Sequence, residues 1–89
     1  MNGLFRSTTT PRFRTCFERL PIEIREKAIK QYDLFLINPF HPSLRLKQID
    51  GFWSVRISRS YRALATREGD VFAWFWIGPH SDYDRILKG

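Results

Sequence analysis

Residues 52–66 have the sequence FWSVRISRSYRALAT, in which apolar and polar side chains alternate on both sides of a short polar loop. If residues 58–60 form that loop, Ile57 lies opposite Tyr61 and Arg56 lies opposite Arg62 in an antiparallel hairpin. One face of the hairpin then carries only apolar side chains, namely Trp53, Val55, Ile57, Tyr61, Ala63 and Ala65. The other face carries Ser54, Arg56, Arg62 and Thr66. A shift of one residue would mix the two faces, so the pattern predicts this register.

The hairpin belongs to a series of predicted strands. Runs rich in β-branched and aromatic residues occupy 46–49, 52–57, 61–66 and 71–77, with turn residues between them, which is typical of antiparallel succession. Residues 71–77 are apolar at every position, which predicts an interior strand that is covered on both faces. Residues 3–7 predict a further strand at an edge of the sheet.

Helices are predicted on either side of this series. Thr10 followed by Pro11 is typical of a helix start, and the apolar face of this first helix consists of Phe13, Cys16, Phe17 and Leu20. A second helix is predicted over 21–37, with one stripe of apolar residues: Ala28, Ile29, Tyr32, Phe35 and Leu36. We expect the two helices to pack as a hairpin. Residues 80–89 predict a short terminal helix that turns Tyr83, Ile86 and Leu87 inward.

The whole pattern predicts the fold class and indicates which cofactors and which compartment to expect. It predicts an α+β domain over residues 1–89, with two N-terminal helices packed on a small antiparallel sheet and a short C-terminal helix. With 43% hydrophobic residues, the chain can build a core without a disulfide or a structural metal. Cys16 has no cysteine to pair with, and no Cys/His cluster has metal spacing. Without a signal peptide or a membrane-length segment, we expect a cytoplasmic protein that uses no metal, no small-molecule cofactor and no membrane.

The positive charge is concentrated in one part of the chain. Fifteen Lys and Arg against nine Asp and Glu give a net charge of +6. Between Arg45 and Arg67, six basic residues accompany a single acidic one, Asp50, so this segment carries nearly all of the net charge. Such segregation favours a phosphate-binding face over a surface that is merely solvated.

The predicted arginine pair suggests a chemistry. Like charges directly opposite on a sheet destabilise it, and an anion between them relieves the cost. Two guanidinium groups can hold a phosphate and stabilise the charge that develops when a neighbouring 2′-hydroxyl attacks it. Alternatively, Arg56 and Arg62 pair with Glu68, with Asp84 or with an acidic partner. His80 follows a Gly-Pro turn at the end of a strand, where it is either an ordinary turn residue or a group that transfers protons.

Several motifs, in order along the chain, resemble one known family. Leu20-Pro21 opens a helix that ends at Asn38-Pro39, and LKQI at 46–49, GFWSVRI at 51–57, YRAL at 61–64 and IGPHSDY at 77–83 follow. This sequence resembles the RelE/ParE superfamily, the bacterial toxins of type II toxin-antitoxin systems. The GFWSxRI segment is similar to YoeB-like toxins, and the Gly-x-His-Ser-Asp segment is similar to YafQ-like toxins.

The resemblance implies a function and a set of site residues. The ribonuclease members of the superfamily bind the ribosomal A site and block translation by cleaving mRNA without a metal, through attack of the ribose 2′-hydroxyl on the adjacent phosphate. A cognate antitoxin protein holds them inactive. By position, the catalytic residues are Arg56, Arg62 and His80, and Lys47 and Tyr83 bind the substrate. From the basic segment, Arg45 and Arg59 are further candidate substrate-binding residues.

The sequence also departs from the family pattern. YoeB-like toxins carry a glutamate, the candidate base, a few residues before the position of Lys47, where this chain has Ser43, Leu44 and Arg45. Either His80 or Asp84 replaces that base, or the chain is slow or inactive as a nuclease. Two alternatives therefore stay open: a ParE-like toxin that poisons DNA gyrase, and a catalytically inactive module that only binds its antitoxin.

Overall fold

The computed structural model describes residues 5–88. Its elements, in chain order, are β1 (Arg6–Thr9), α1 (Pro11–Glu18), α2 (Ile22–Ile37), a 3-10 turn (Pro42–Leu44), β2 (Lys47–Ile49), β3 (Phe52–Ser58), β4 (Tyr61–Glu68), β5 (Val71–Pro79) and α3 (His80–Lys88). Two helices precede the main run of strands and one short helix follows it. The predicted α+β class is confirmed, and the four strands predicted after residue 44 are all present.

The five strands form one sheet in the order β1-β5-β4-β3-β2. Strands β2 to β5 are antiparallel hairpins in succession, as the sequence predicts. The N-terminal strand is at an edge, as expected, but it runs parallel to β5, so the sheet is mixed. It begins at Arg6; residues 3 and 4 of the predicted strand lie outside the described residues. The strand β5 is interior, flanked by β1 and β4.

The β3–β4 hairpin has the predicted register at its centre. Arg56 pairs with Arg62, and the neighbouring apolar pairs follow the predicted alternation. Nearer the turn the prediction is wrong, because Ser58, and not Ile57, lies opposite Tyr61. Ile57 is an extra residue in β3, and a two-residue turn replaces the predicted three-residue loop. Ile57 is nevertheless buried in the core between the sheet and the N-terminal helices, so the hairpin keeps its apolar face despite the bulge.

A second bulge lies in β5. Trp74 pairs with Ala65 and Trp76 pairs with Leu64, so Phe75 is the unpaired extra residue. Trp74 joins the core beneath the helices, whereas Trp76 joins a smaller cluster on the opposite face. Because of the bulge, Trp74 and Trp76 lie on opposite faces although they are two residues apart, and the strand is covered on both sides, as predicted.

The two N-terminal helices cover the larger face. Thr10 caps α1, since its hydroxyl accepts a hydrogen bond from the Phe13 N–H at 3.1 Å. Helix α1 packs on β5 and α2 packs on β3. They do not pack on each other as the expected hairpin, and no residue of α1 is fully buried. An apolar cleft of about 320 Å³ lies between them.

The observed burial of α2 differs from the predicted one. Ala28 and Phe35 are buried as expected, but Ile29 and Leu36 are 53% and 52% exposed. The buried stripe is thus narrower than the sequence pattern predicts: Ile29 lines the open cleft, and Leu36 lies outside it. None of the helices in residues 5–88 is both long and apolar enough to cross a membrane.

The short helix α3 covers part of the opposite face. Tyr83 is buried against Leu64 and Trp76, and Ile86 and Leu87 pack around them. The predicted inward side of this helix is confirmed. Because α3 begins at His80, directly after β5 ends at Pro79, no loop separates the helix from the sheet. The orientation of its first turn is therefore determined by the strand.

Candidate active site

The centre of the candidate site is the pair of arginines on β3 and β4. Arg56 and Arg62 are direct cross-strand partners, both half-buried, on the face that α3 partly covers. Ser54, two residues before Arg56 on the same face, is buried. The hairpin thus forces two guanidinium groups together beside the edge of α3.

Arg62 is anchored to the turn that precedes it. Its Nη1 donates to the carbonyl oxygens of Ser58 at 2.6 Å and Tyr61 at 2.9 Å, and more weakly to that of Arg59 at 3.4 Å. A positively charged donor held against several carbonyls stabilises the tight turn, which contains no glycine. The Nε and Nη2 atoms of Arg62 have no hydrogen-bond partner among the described residues, so they remain available to a ligand.

The charge around Arg62 is unbalanced. Burial lowers the pKa of Arg62 from its usual value, and the guanidinium groups of Arg56 and Arg45 lower it further. Tyr83 and Asp84 act in the opposite direction without cancelling the effect. The lowered pKa means that the charged form of Arg62 is destabilised where it stands. A bound anion would offset this destabilisation.

Gln31 on α2 connects the strand that carries Arg56 with the 3-10 turn. Its Nε2 donates to the backbone carbonyl of Arg56 at 2.8 Å and to that of Ser43 at 3.3 Å. Ser43 lies in the 3-10 turn that ends at Arg45, whose backbone is left-handed with φ 48°. This connection brings Arg45 within electrostatic reach of Arg62. The sequence analysis missed Gln31, because only the packing of α2 on β3 reveals its partners.

His80 is held beside the same turn. Its backbone N–H donates to the carbonyl of Ser60 at 2.7 Å, next to the pair formed by Tyr61 and Pro79. The imidazole Nδ1 lies 3.2 Å from Oδ2 of Asp84, one helical turn later. Both side chains are about half exposed, so a substrate can reach them. The structure thus brings His80 to the end of the hairpin that carries the arginine pair.

The ring of Tyr83 packs against the imidazole of His80. It is only 4% exposed, and its ring centre lies 5.2 Å from the imidazole of His80 and 6.5 Å from the ring of Trp76. Its hydroxyl is buried and has no hydrogen-bond partner among the described residues. In this conformation Tyr83 does not present an open ring on which a base can stack, because the ring is buried against Leu64 and Trp76.

The remaining predicted residues lie at the periphery. Lys47 is exposed on β2 and pairs with Ser54, which places it on the same face of the sheet as Arg56. Arg59 is exposed in the β3–β4 turn. Together with Arg45, they surround the arginine pair with positive charge. In residues 5–88, no group of His, Cys, Asp and Glu side chains is arranged to hold a metal ion.

From the sequence, Asp84 is either a partner of the arginines or a replacement for the missing base. It contacts His80 directly and acts electrostatically on Arg62. The signal in the sequence is its spacing, since residues four apart on a helix face the same side. That signal becomes specific only once α3 is known to begin at His80.

Comparison with known families identifies the class of protein. Residues 23–85 match the model of the ParE-like toxin domain family, so the chain belongs to that family. It is a toxin of the RelE/ParE superfamily, as the motifs quoted above imply. No curated protein sequence matches the chain.

Known structures of toxins share the fold at low sequence identity. A chain of the archaeal RelE-RelB complex from Pyrococcus horikoshii OT3 superposes with a TM-score of 0.69 at 13% identity, covering 85% of this chain and 94% of that one. The YoeB/ParE toxin from Agrobacterium tumefaciens gives a TM-score of 0.66 at 18% identity, covering 85% and 99%. A mutant RelE toxin of E. coli in the free state gives 0.65 at 17%, covering 91% and 88%.

Proposed function

We propose that this toxin is a metal-independent endoribonuclease that cleaves mRNA in the ribosomal A site. The observation that carries the proposal is the uncompensated arginine pair, Arg56 and Arg62, with His80 at the end of the same hairpin. The pair fits a phosphate that becomes more negative during the reaction, and the histidine fits a group that moves a proton.

The geometry supports a specific division of labour. Arg56 and the unused Nε and Nη2 of Arg62 hold the scissile phosphate. The Nε2 atom of His80 takes the proton of the ribose 2′-hydroxyl, the 2′-oxygen forms a bond to phosphorus, and the bond to the 5′-oxygen breaks. The leaving 5′-oxygen takes up a proton from water, His80 returns its proton to the hydroxide that is left, and the products are a 2′,3′-cyclic phosphate and a 5′-hydroxyl. The arginines stabilise the extra charge on the pentacoordinate phosphorus.

The surrounding charge supports binding of an RNA chain. Arg45, Lys47 and Arg59 flank the arginine pair and can neutralise the phosphates on either side of the scissile bond. Because these contacts involve the backbone of the RNA, they position the substrate and do not specify its sequence. Translating ribosomes are cytoplasmic, so the cytoplasm is the compartment that we propose.

The same basic face is the proposed docking surface for an antitoxin. The chains of similar fold from Pyrococcus horikoshii and Methanococcus jannaschii were solved as RelE-RelB and RelB-RelE complexes. By analogy, we propose that a cognate antitoxin with an acidic segment covers Arg56 and Arg62 and thereby excludes RNA. A complex of this kind weakens as the salt concentration rises.

Induction in bacteria tests the activity. Transcript 5′ ends and gyrase-linked DNA breaks are mapped in parallel after expression of the native chain and of an Arg56→Ala variant. We expect new transcript ends that carry a 5′-hydroxyl with the native chain and none with the variant. DNA breaks without RNA cleavage would instead identify a gyrase poison, and the absence of both would identify a module that only binds its antitoxin.

A further inference from the structure

We propose that Asp84 is a positioning residue that orients the imidazole of His80 and selects its tautomer. The inference rests on the proposed ribonuclease function, in which His80 is the proton acceptor. Asp84 does not contact the reacting atoms in this scheme. It acts through His80.

Three contacts hold His80 in place. Its backbone N–H is bonded to the carbonyl of Ser60 at 2.7 Å, its ring packs on Tyr83 at 5.2 Å, and its Nδ1 lies 3.2 Å from the Asp84 carboxylate. Tyr83 is buried in the cluster beneath α3, so the ring on which the imidazole rests is itself immobilised. A half-exposed histidine without these contacts would sample several rotamers. With them, the imidazole has one orientation.

The contact with Asp84 also decides where the proton of a neutral imidazole resides. An ionised carboxylate can only accept hydrogen bonds, so Nδ1 must carry the hydrogen that points at Asp84. The other ring nitrogen, Nε2, then has a free lone pair. It has no hydrogen-bond partner among the described residues. This is the form of histidine that can take a proton from a 2′-hydroxyl, and the carboxylate stabilises the imidazolium that results.

The contact between His80 and Asp84 is not explained by the stability of the helix alone. The N-terminus of a helix carries partial positive charge, so a histidine that becomes charged there is disfavoured. An exposed ion pair at this spacing contributes little to stability. Asp84 also raises the pKa of Arg62 and therefore lies within electrostatic reach of the arginine pair. One carboxylate thus acts on two of the three proposed catalytic side chains.

The chain contains an internal control for the tautomer. Nδ1 of His41 accepts a hydrogen bond from the backbone N–H of Ser43 at 3.2 Å. A neutral His41 must therefore carry its hydrogen on Nε2. The two histidines of the protein are expected to be opposite tautomers, which separate clearly in the nitrogen-15 spectrum of the imidazole rings.

The experiment compares the purified native chain with Asp84→Ala and with the matched control Asp82→Ala. Asp82 lies in the first turn of the same helix, but it pairs with Arg85 and not with His80. We expect Asp84→Ala to remove the preference of His80 for hydrogen on Nδ1, with His41 unchanged. Asp82→Ala should leave both histidines as they are in the native chain. The spectrum requires no nuclease activity.

Cleavage of a message on programmed ribosomes completes the test. Loss of Asp84 should remove part of the about hundred- to ten-thousandfold effect of acid–base catalysis, so kcat should fall about tenfold or more while KM is unchanged. Asp84→Glu should restore part of the rate, because its carboxylate can still reach the imidazole. Thermal unfolding of Asp84→Ala and Asp82→Ala should be alike.

The outcomes separate this inference from the proposed function. If Asp84→Ala keeps the Nδ1–H form of His80, or cleaves as fast as the native chain, Asp84 is not a positioning residue, although the nuclease remains. If the native chain leaves the message intact, the proposed function fails, and the positioning role fails with it whatever the imidazole spectrum shows.

Discussion

Neutralising Arg56 should abolish cleavage and at the same time stabilise the fold. We consider Arg56→Gln, which keeps part of the aliphatic stem and removes the charge. Among residues 5–88, the native Arg56 guanidinium has no salt-bridge partner, and it faces Arg62 directly across the hairpin. Relief of this repulsion is worth about 0.2–1 kcal/mol. At about 4–8 °C per kcal/mol for a domain of this size, the midpoint of thermal unfolding should rise by up to several degrees.

The stability assay can identify the physical cause of the change. Unfolding is followed at low salt and at high salt for the native chain and the variant. The gain should shrink at high salt, because the screening length falls from about 10 Å at 0.1 M to about 3 Å at 1 M. Arg59→Gln is the matched control. Arg59 lies in the turn and has no arginine opposite, so its replacement should leave the midpoint nearly unchanged.

Activity should change in the opposite direction. Loss of one donor that stabilises the transition state typically costs about a hundred- to a thousandfold in rate. Arg56→Gln should therefore be a more stable but inactive protein. If Arg56→Gln unfolds more easily than the native chain, Arg56 is part of the structural framework and the repulsion argument is wrong. If it is stabilised yet cleaves normally, the arginine pair is not the phosphate site.

Three further predictions follow from the same contacts. Arg62→Gln should lose cleavage and also unfolding free energy in urea, since losing the charged Nη1 bonds to the Ser58 and Tyr61 carbonyls costs about 1.5–3 kcal/mol, more than the roughly 0.2–1 kcal/mol that relief of the repulsion from Arg56 returns; an unchanged midpoint would contradict this anchoring. Phe35→Ala should cost about 3–5 kcal/mol, because the ring is 3% exposed; a loss below 1 kcal/mol would mean that the adjacent cleft collapses. Inorganic phosphate should raise the unfolding midpoint of the native chain more than that of Arg56→Gln; equal shifts would exclude an anion site at the pair.

The sequence predicted those parts of the fold that depend on burial alone. The pairing of Arg56 with Arg62 follows from alternation, because only one register places every apolar residue of the hairpin on the same face. The turn beyond this pair was not predictable in the same way. It is stabilised by the guanidinium group of Arg62, which is a contact of a side chain with a backbone that exists only once the hairpin has formed.

The parts of the site that escaped prediction depend on how separate elements meet. The partners of Gln31 require α2 to lie on β3, and the role of Asp84 requires α3 to begin at His80 without a loop. The cleft between α1 and α2 has the same origin, since periodicity shows which face of a helix is apolar but not which strand it packs against. The motifs identified the family, and only the structure shows how Tyr83 is covered.

The bulge at Phe75 changes the direction of β5 without changing its pairing with β4. Trp74 and Trp76 pair with adjacent residues of β4, so a chain lacking Phe75 would keep all of these partners and simply run straighter. What the additional residue contributes is curvature, because a bulge bends its strand and increases the local twist. Beyond the bulge the strand is paired as far as Pro79, and the backbone of His80 is bonded to Ser60. Loss of Phe75 would therefore straighten β5 while its pairing with β4 and the bond from His80 to Ser60 remained, so relatives with the same strand register could differ in the curvature of this strand.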